Sequence, residues 1–400
     1  MAREVAALVA MGHQVDVICL RDGDQPRIEH HPGMTLWRLP LHHSRGRRGL
    51  RYVGEYAAFF ALSASLVTAL HLRRRYRLVQ VHSLPDVLVF AAAVPRLLGA
   101  RVVLDLQECM PEFFATKFGV DGAHPLVRLI GRLEQLSIRF ADAVITPTAQ
   151  MRDVFIGRGA APDRIVVVMD GADEQTFHPV DVPQRDAGQN GTFTLISHGT
   201  VEEHYGLATV IEAVALLRDE LPGLRLQVYG DGSDLGRLHS LTVRLGVADR
   251  VHFSDGFVPI AELVAAIARA DAGIVALRRD PFRDVSLAGK MFDFIAMGKP
   301  VLSSRTRSVV ETFGPSCVEL FESGDAEDLA RALRLLYRNP QRRTDLAARA
   351  REVAAEYQWS RQREIYRGVV DGLMTSGAGR TSLRRRPLSD PVRAGTPPRR

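Results

Sequence analysis

The sequence predicts an α/β protein of two doubly wound, Rossmann-like domains facing each other across a cleft. Three observations carry that expectation. The 400 residues are too many for one ordinary core and suit two α/β domains. Short Val/Ile/Leu-rich runs alternate with helical stretches from end to end, the pattern of parallel sheets covered on both faces. A stretch rich in Pro, Asp, Gln and Gly, His178 to Phe193, interrupts the alternation near the middle.

Taken in order, the chain opens on the helical "REVAALVAMG" and goes straight into the strand run "QVDVICL". A doubly wound domain ordinarily starts with a strand and a Gly-rich turn ahead of its first helix. The expectation is therefore an N-terminal domain that lacks its first strand and one phosphate-side loop. "TLWRLPL" is the next strand. Tyr56 to Leu72, "YAAFFALSASLVTALHL", is 17 residues long without a formal charge, and lies between "RGRRGLR" and "RRRYR". It reads either as a buried helix with exposed arginines or as a helix lying in a membrane interface, its basic flanks on anionic headgroups. "LVQVHS", "RVVLDLQ", "DAVITPT" and "RIVVVMD" complete a first domain over 1–178, and 179–191 is the linker. The second domain, 192–355, carries strands at "FTLISHG", "LRLQVYG", "RVHFSDG", "AGIVALR", "KPVLSS" and "CVELFE". A helical segment over 356–375 follows, then a tail over 376–400.

The net charge of +6 belongs to that tail, which holds seven arginines and one aspartate; the other 375 residues balance at 45 basic and 45 acidic. A Pro/Gly/Arg segment with almost no apolar content is expected to be disordered. It reads as a solvated tail or as a contact to an anionic membrane, and nucleic acid is not an expected partner. Cys19, Cys109 and Cys317 are far apart and fit neither a disulfide framework nor a metal knuckle, which points to a reducing cytoplasm.

Three strand-to-helix turns in the second domain are possible phosphate cradles, because N–H groups at a helix N-terminus attract anions. They are "SHGTVEEHYGL" (Ser197 to Leu207), "VYGDGSDLGRL" (Val228 to Leu238) and "DVSLAGKMFDF" (Asp284 to Phe294). In the third, Lys290 and Asp293 are three apart and share a helix face. Lys290 suits a phosphate as a point charge, and Asp293 suits a ribose diol. Spacing alone leaves a plain surface ion pair equally open.

The second half resembles glycosyltransferase family four, retaining enzymes of GT-B fold that move a sugar from a nucleoside-diphosphate donor. "HGTVEEHYGLATVIEAVALL" and "LAGKMFDFIAMGKPV" carry the resemblance most specifically. "RVVLDLQECMPEFFATKFG" resembles a segment of exopolysaccharide and O-antigen transferases, and "REVAALVAMGHQVDVICL" looks like the family's first helix and second strand.

The resemblance implies a donor site in which Gly199, Thr200 and the backbone of Leu287, Ala288 and Gly289 meet the diphosphate. Lys290 would neutralise that diphosphate, and Asp293 would hold the ribose. It implies no cofactor beyond the UDP- or GDP-sugar as substrate, no metal, a glycan or lipid-linked acceptor, and a terminal helix over 356–375 crossing back to the first domain. The sequence departs from the family pattern at four places. The first of the family's two glutamates falls on Val285, its usual arginine and lysine on Thr200 and Tyr205, and its donor-sugar histidine on Gln107. Gln107 can hydrogen-bond a sugar hydroxyl; Glu108 and Glu112 are the nearest carboxylates to an acceptor hydroxyl. His82 is a further candidate for catalysis, or a satisfied strand-end histidine. His198 and His204 stand as local structural groups.

The expected function is a metal-independent, retaining glycosyltransferase of cell-surface polysaccharide synthesis. It is expected in the cytoplasm, with a possible peripheral contact to the inner face of the plasma membrane through 45–77 and the tail. The rivals are a nucleotide-sugar epimerase of the same shape and a degenerate transferase that only binds.

Overall fold

The structure, a computed structural model, describes residues 1–41, 49–179, 191–254 and 256–375, the side chains of 49–53 excepted. The arginines of 45–48, the linker between 180 and 190 and the tail over 376–400 lie outside the described residues.

The first domain runs α1 (Ala2–Ala10), β1 (Val15–Leu20), β2 (Ile28–His31), β3 (Met34–Leu39), α2 (Gly49–Arg74), β4 (Leu78–His82), α3 (Ala93–Leu97) and β5 (Arg101–Asp105). It closes with α4 (Met110–Phe118), α5 (Pro125–Phe140), β6 (Ala143–Thr146), α6 (Ala149–Gly157) and β7 (Ile165–Val167). The second runs β8 (Phe193–His198), α7 (Leu207–Leu216), β9 (Leu224–Tyr229), α8 (Leu235–Arg244), β10 (Val251–Phe253), α9 (Ile260–Arg269) and β11 (Ala272–Val275). After these come α10 (Gly289–Ala296), β12 (Val301–Ser304), α11 (Arg307–Thr312), β13 (Glu319–Phe321), α12 (Ala326–Arg338), α13 (Pro340–Ala354) and α14 (Trp359–Thr375).

The second domain is one sheet in the order β10-β9-β8-β11-β12-β13, parallel throughout. Counted within the domain that order is 3-2-1-4-5-6, so the chain changes direction between β8 and β11, where ligands of doubly wound folds bind. Its strands are apolar on both faces because helices cover both: Leu195 and Ile274 are buried in the core on one side, and Ile196 and Val275 in the core on the other. Helix α12 shows why the covering helices form. Asp325 caps it by accepting from the N–H groups of Glu327 and Asp328, and Leu329, Leu333 and Leu336 recur at helical spacing against the sheet.

The first domain has two sheets, β1-β3-β2 and β4-β5-β6-β7. The second of these is parallel, as expected. The first corrects the all-parallel expectation: β2 pairs antiparallel with β3, Ile28 opposite Trp37 and His31 opposite Met34. Gly33, at φ +76, makes the turn between them. β2 leaves little apolar signal in the sequence, since Ile28, His30 and His31 are exposed. β1 follows α1 directly, and a cavity of about 730 Å³ separates it from β4.

Within α2, Gly54–Arg74 is long and apolar enough to cross a membrane by length and composition, and 22% of its window is buried. Ser63, Leu70 and His71 face the protein, while Leu62 and Leu72 are exposed. Helix α14 packs Tyr366, Val369 and Val370 onto Ala7, Val103, Ile145 and Val168 of the first domain. The Tyr366 hydroxyl donates to Gln80 Oε1 at 2.6 Å, and Gln362 Oε1 accepts from Met169 N at 2.8 Å.

The domains touch directly. Thr148 Oγ1 donates to the carbonyl of Val285 at 2.8 Å, and Gln150 Nε2 to Glu311 Oε2 at 3.0 Å. Phe113 and Phe282 meet edge to face at 5.7 Å. Val285, where the resemblance would place an acid, is 5% exposed and packs into the first domain's core.

Candidate active site

A cleft of about 380 Å³ lies where the turn after β8 and the loop from β11 to α10 face the ends of β5 and β6. The packing of α10 orients its polar groups. Met291, Phe292, Phe294 and Ile295 are buried, and Gly273 of β11 lets Phe294 lie close: a Cβ at 273 would sit 2.3 Å from that ring. Lys290 and Asp293 are left together on the remaining face. No side chain caps α10, so its leading N–H groups are open at the cleft, where Leu287, Ala288 and Gly289 form part of the wall.

Lys290 and Asp293 take different neighbours, which argues against a mere surface pair. The Lys290 ammonium lies 4.4 Å from the centroid of the Tyr205 ring. Burial pushes its pKa down to about 8, with Asp293 working the other way. Gly199, at φ +98, adjoins it; a Cβ there would lie 3.7 Å from Nζ. Asp293 turns Oδ2 to His198 Nε2 at 3.5 Å. Burial raises the Asp293 carboxyl to about 7, against the pull of Arg3 and Lys290. His198 stacks on Phe177 and meets Phe294 edge-on at 5.1 Å. Burial first, then Lys290, holds its pKa down to about 3, so it is neutral beside the acid.

The second cradle is structural. A Cβ on Gly230 would fall 1.8 Å from the carbonyl oxygen of Gly199, and one on Gly232 2.0 Å from that of Val201. Those glycines allow one turn to lie on the other. Thr200 is exposed and does not line the cleft.

Arg283 is a cleft residue that the sequence reading missed. It is paired with Asp280 and lies 6.0 Å over the Phe282 ring. The only signal for it was a basic residue in the loop ahead of α10. Its charge helps hold down the proton affinity of His204, whose pKa burial and Arg283 lower to about 4.

From the first domain, Gln107 and Glu108 enter the cleft. Burial raises the Glu108 carboxyl above its ordinary range, with Lys117 and Arg283 opposing. Its Oε2 is buried without a hydrogen-bond partner. Gln107 Nε2 donates to Asp105 Oδ1 at 2.7 Å. His82 Nδ1 lies 2.6 Å from Asp105 Oδ2, so Asp105 joins two of the expected catalytic residues from behind. It was legible only as an acid ending the strand "RVVLD". His82 itself opens on the other, 730 Å³ cavity, where Glu4, His82 and Asp105 offer ligand atoms within 4.8 Å of one another. Glu112 is corrected: both of its oxygens are taken by Arg158, at 2.7 and 2.6 Å, in a cluster with Glu134.

Comparison with known proteins matches the arrangement. Residues 1–171 match the family described as "Glycosyl transferase 4-like domain", and residues 183–353 match "Glycosyl transferases group 1". A D-inositol 3-phosphate glycosyltransferase of Stackebrandtia nassauensis is 30% identical over 285 residues, covering 67% of this chain and 62% of its own length. The lipopolysaccharide core biosynthesis glycosyltransferase LpsE of Rhizobium meliloti is 31% identical over 194 residues, 47% of this chain and 48% of its own. The matched part thus spans less than two thirds of either relative. Among solved structures, Anabaena Alr3699/HepE in complex with UDP-glucose superposes with a TM-score of 0.69 at 18% identity, covering 93% of this chain and 94% of that one.

Proposed function

Because the chain belongs to the GT-B glycosyltransferases of the group 4 type, we propose that it moves a sugar from a nucleoside-diphosphate donor to a glycan or lipid-linked saccharide, with retention, in cell-surface polysaccharide synthesis. The observation that carries this reading is the pairing of Lys290 and Arg283 with the uncapped start of α10 at the switch point of the second sheet. Two cations and a set of backbone N–H groups can neutralise a leaving diphosphate with no metal. Arg283 and Lys290 then supply the charge that Thr200 and Tyr205 do not.

The diphosphate would sit on the N–H groups of Leu287, Ala288 and Gly289. Asp293, backed by neutral His198, would accept from the ribose diol. Gln107, steadied by Asp105, would hold a hydroxyl of the donor sugar. Glu108, unpartnered and raised in proton affinity, would take the acceptor proton. The lipopolysaccharide relative and the exposed apolar side of α2 support a lipid-linked acceptor met at the inner face of the membrane, and HepE, solved with UDP-glucose, supports uracil as the donor's base.

The test is calorimetric titration with UDP, GDP and ADP, followed by nucleoside-diphosphate release with and without a lipid-linked acceptor in EDTA. Tight binding of one nucleotide and acceptor-dependent release are expected. Turnover without acceptor would favour an epimerase, and no binding at all would leave a degenerate protein.

A further inference from the structure

Helix α5 turns polar groups inward and leucines outward. On its buried side Glu134, Gln135 and Ser137 stand beside Val127 and Ile138. Glu134 and Gln135 are held there by hydrogen bonds. Arg158 donates to both oxygens of Glu134, at 2.9 and 2.7 Å, and Gln135 Nε2 donates to the carbonyl of Phe155 at 3.2 Å. Leu126, Leu129 and Leu136 face solvent instead, each about half exposed. A helix that buries an acid and an amide while leaving leucines in water gives up apolar burial that the fold could have used. None of these leucines lines the cleft.

The outward apolar residues are regular. Leu126, Leu129, Leu133, Leu136 and Phe140 follow at steps of three, four, three and four residues, the a/d pattern of a seam that pairs with another helix. Helix α3 stands at the end of this seam. Phe90, just ahead of α3, meets the Phe140 ring edge to face at 5.0 Å, and the Arg96 guanidinium lies 4.6 Å over it. Val94 and Leu97 of α3 add exposed apolar surface there, Leu97 by 85%. A row of arginines borders the seam on one flank. Arg132 and Arg139 immediately precede Leu133 and Phe140, and Arg128 lies one turn before Arg132 in the same row. All three are exposed, and among the described residues none is paired with an acid. The one acid of α5, Glu134, is buried on the opposite side.

We propose that the outer seam of α5 is the docking site for an amphipathic helix of another protein, apolar at heptad spacing and acidic along the flank that meets Arg128, Arg132 and Arg139. Charge selects this occupant. A second copy of the chain, brought up by a two-fold axis, would set α5 antiparallel to itself and place the arginine row against its own counterpart, with no exposed acid on the helix to answer it. An acidic flank pairs the row and fixes which way the partner lies, as the charges beside a/d seams do in coiled coils. Width separates the partner helix from a lipid surface. A strict a/d stripe is the narrow seam that one helix covers, whereas a helix lying in a membrane interface offers a broader apolar face.

The probe is a labelled peptide of three heptads, each Leu-Ala-Ala-Leu-Glu-Gln-Glu, whose glutamates keep it from pairing with itself. The control peptide carries lysine at every glutamate. Fluorescence anisotropy against the full chain at low salt should show one glutamate peptide per chain, bound about tenfold or more tighter than the lysine peptide. Leu129→Ser with Leu136→Ser should abolish that binding and leave nucleotide binding and the melting temperature as in wild type, since both side chains are at the surface. Arg132→Glu with Arg139→Glu should reverse the preference in favour of the lysine peptide; this pair keeps the apolar seam and carries the test should the leucine variant fold poorly. No binding of the glutamate peptide, equal binding of both peptides, or a preference that the arginine variant leaves unreversed overturns the proposal. A dimer in sedimentation velocity that the leucine variant dissociates would give the seam to a second copy. Binding to phosphatidylglycerol vesicles that the same variant abolishes would give it to lipid. Either result overturns the proposal.

Discussion

At the scale of single residues, Lys290 is held half-enclosed against an aromatic ring, so its charge near neutral pH is conditional. A diphosphate binds the protonated form, so donor affinity should fall as pH rises through about 8, the free group's pKa. Titration calorimetry across that range should show the fall, and Lys290→Arg should flatten it because guanidinium stays charged. Lys290→Ala should weaken nucleoside-diphosphate binding by about 1–3 kcal/mol, and Arg283→Ala by a similar amount. Unchanged affinity in either variant removes that residue from the site. Asp293 carries the opposite chemistry. Its carboxyl is raised to about 7 by burial, so the folded state holds a proton that the unfolded chain gives up near its ordinary value. That contribution to stability is complete below the unfolded pKa and is lost as pH rises through about 7. Urea denaturation between those limits should show wild type losing stability relative to Asp293→Asn. Their shared helix face was legible from the i,i+3 spacing, yet no local pattern places Tyr205 against Lys290 or His198 against Asp293.

At the scale of elements, the site depends on how α10 is seated. Gly273 leaves room for Phe294 on β11, and this fixes the roll of the helix. Gly273→Ala should destabilise the protein by about 1–3 kcal/mol through overpacking and weaken nucleotide binding with it. Chemical denaturation and calorimetry on the same variant check both halves. In the first domain, Arg158 at the end of α6 ties Glu112 of α4 to the fully buried Glu134 of α5. Burial raises the Glu134 carboxyl to about 7 while Arg158 pulls it back. Removing the guanidinium leaves a buried acid without its partner, so Arg158→Ala should cost about 3–5 kcal/mol in urea denaturation. The strands were legible because Val, Ile and Leu cluster wherever both faces are covered. β2 was not, since an exposed edge strand such as "IEHH" has no apolar period to read. Arg283 was not legible either, because a loop carries no periodicity and the cation is placed by its contacts with Asp280 and Phe282.

At the scale of the whole molecule, Val285 sets how the domains meet. It is packed in the first domain's core while its carbonyl accepts from Thr148. Val285→Glu would put a carboxylate into that contact, and the domains should part rather than bury it. Small-angle scattering should record a larger radius of gyration, with weaker nucleotide turnover rather than the recovery a missing acid would bring. Compactness equal to wild type would show that the contact does not govern closure. By itself the sequence determined two doubly wound domains, their order along the chain, the family, and a lysine and an acid on one helix face, because apolar period and turn chemistry are local. Tertiary structure alone decided that Arg283 would join Lys290, that Glu112 would be lost to Arg158, and that His82 would open on a different cavity from Glu108. Each of those depends on burial and on contacts between residues far apart in the chain, which no local pattern encodes.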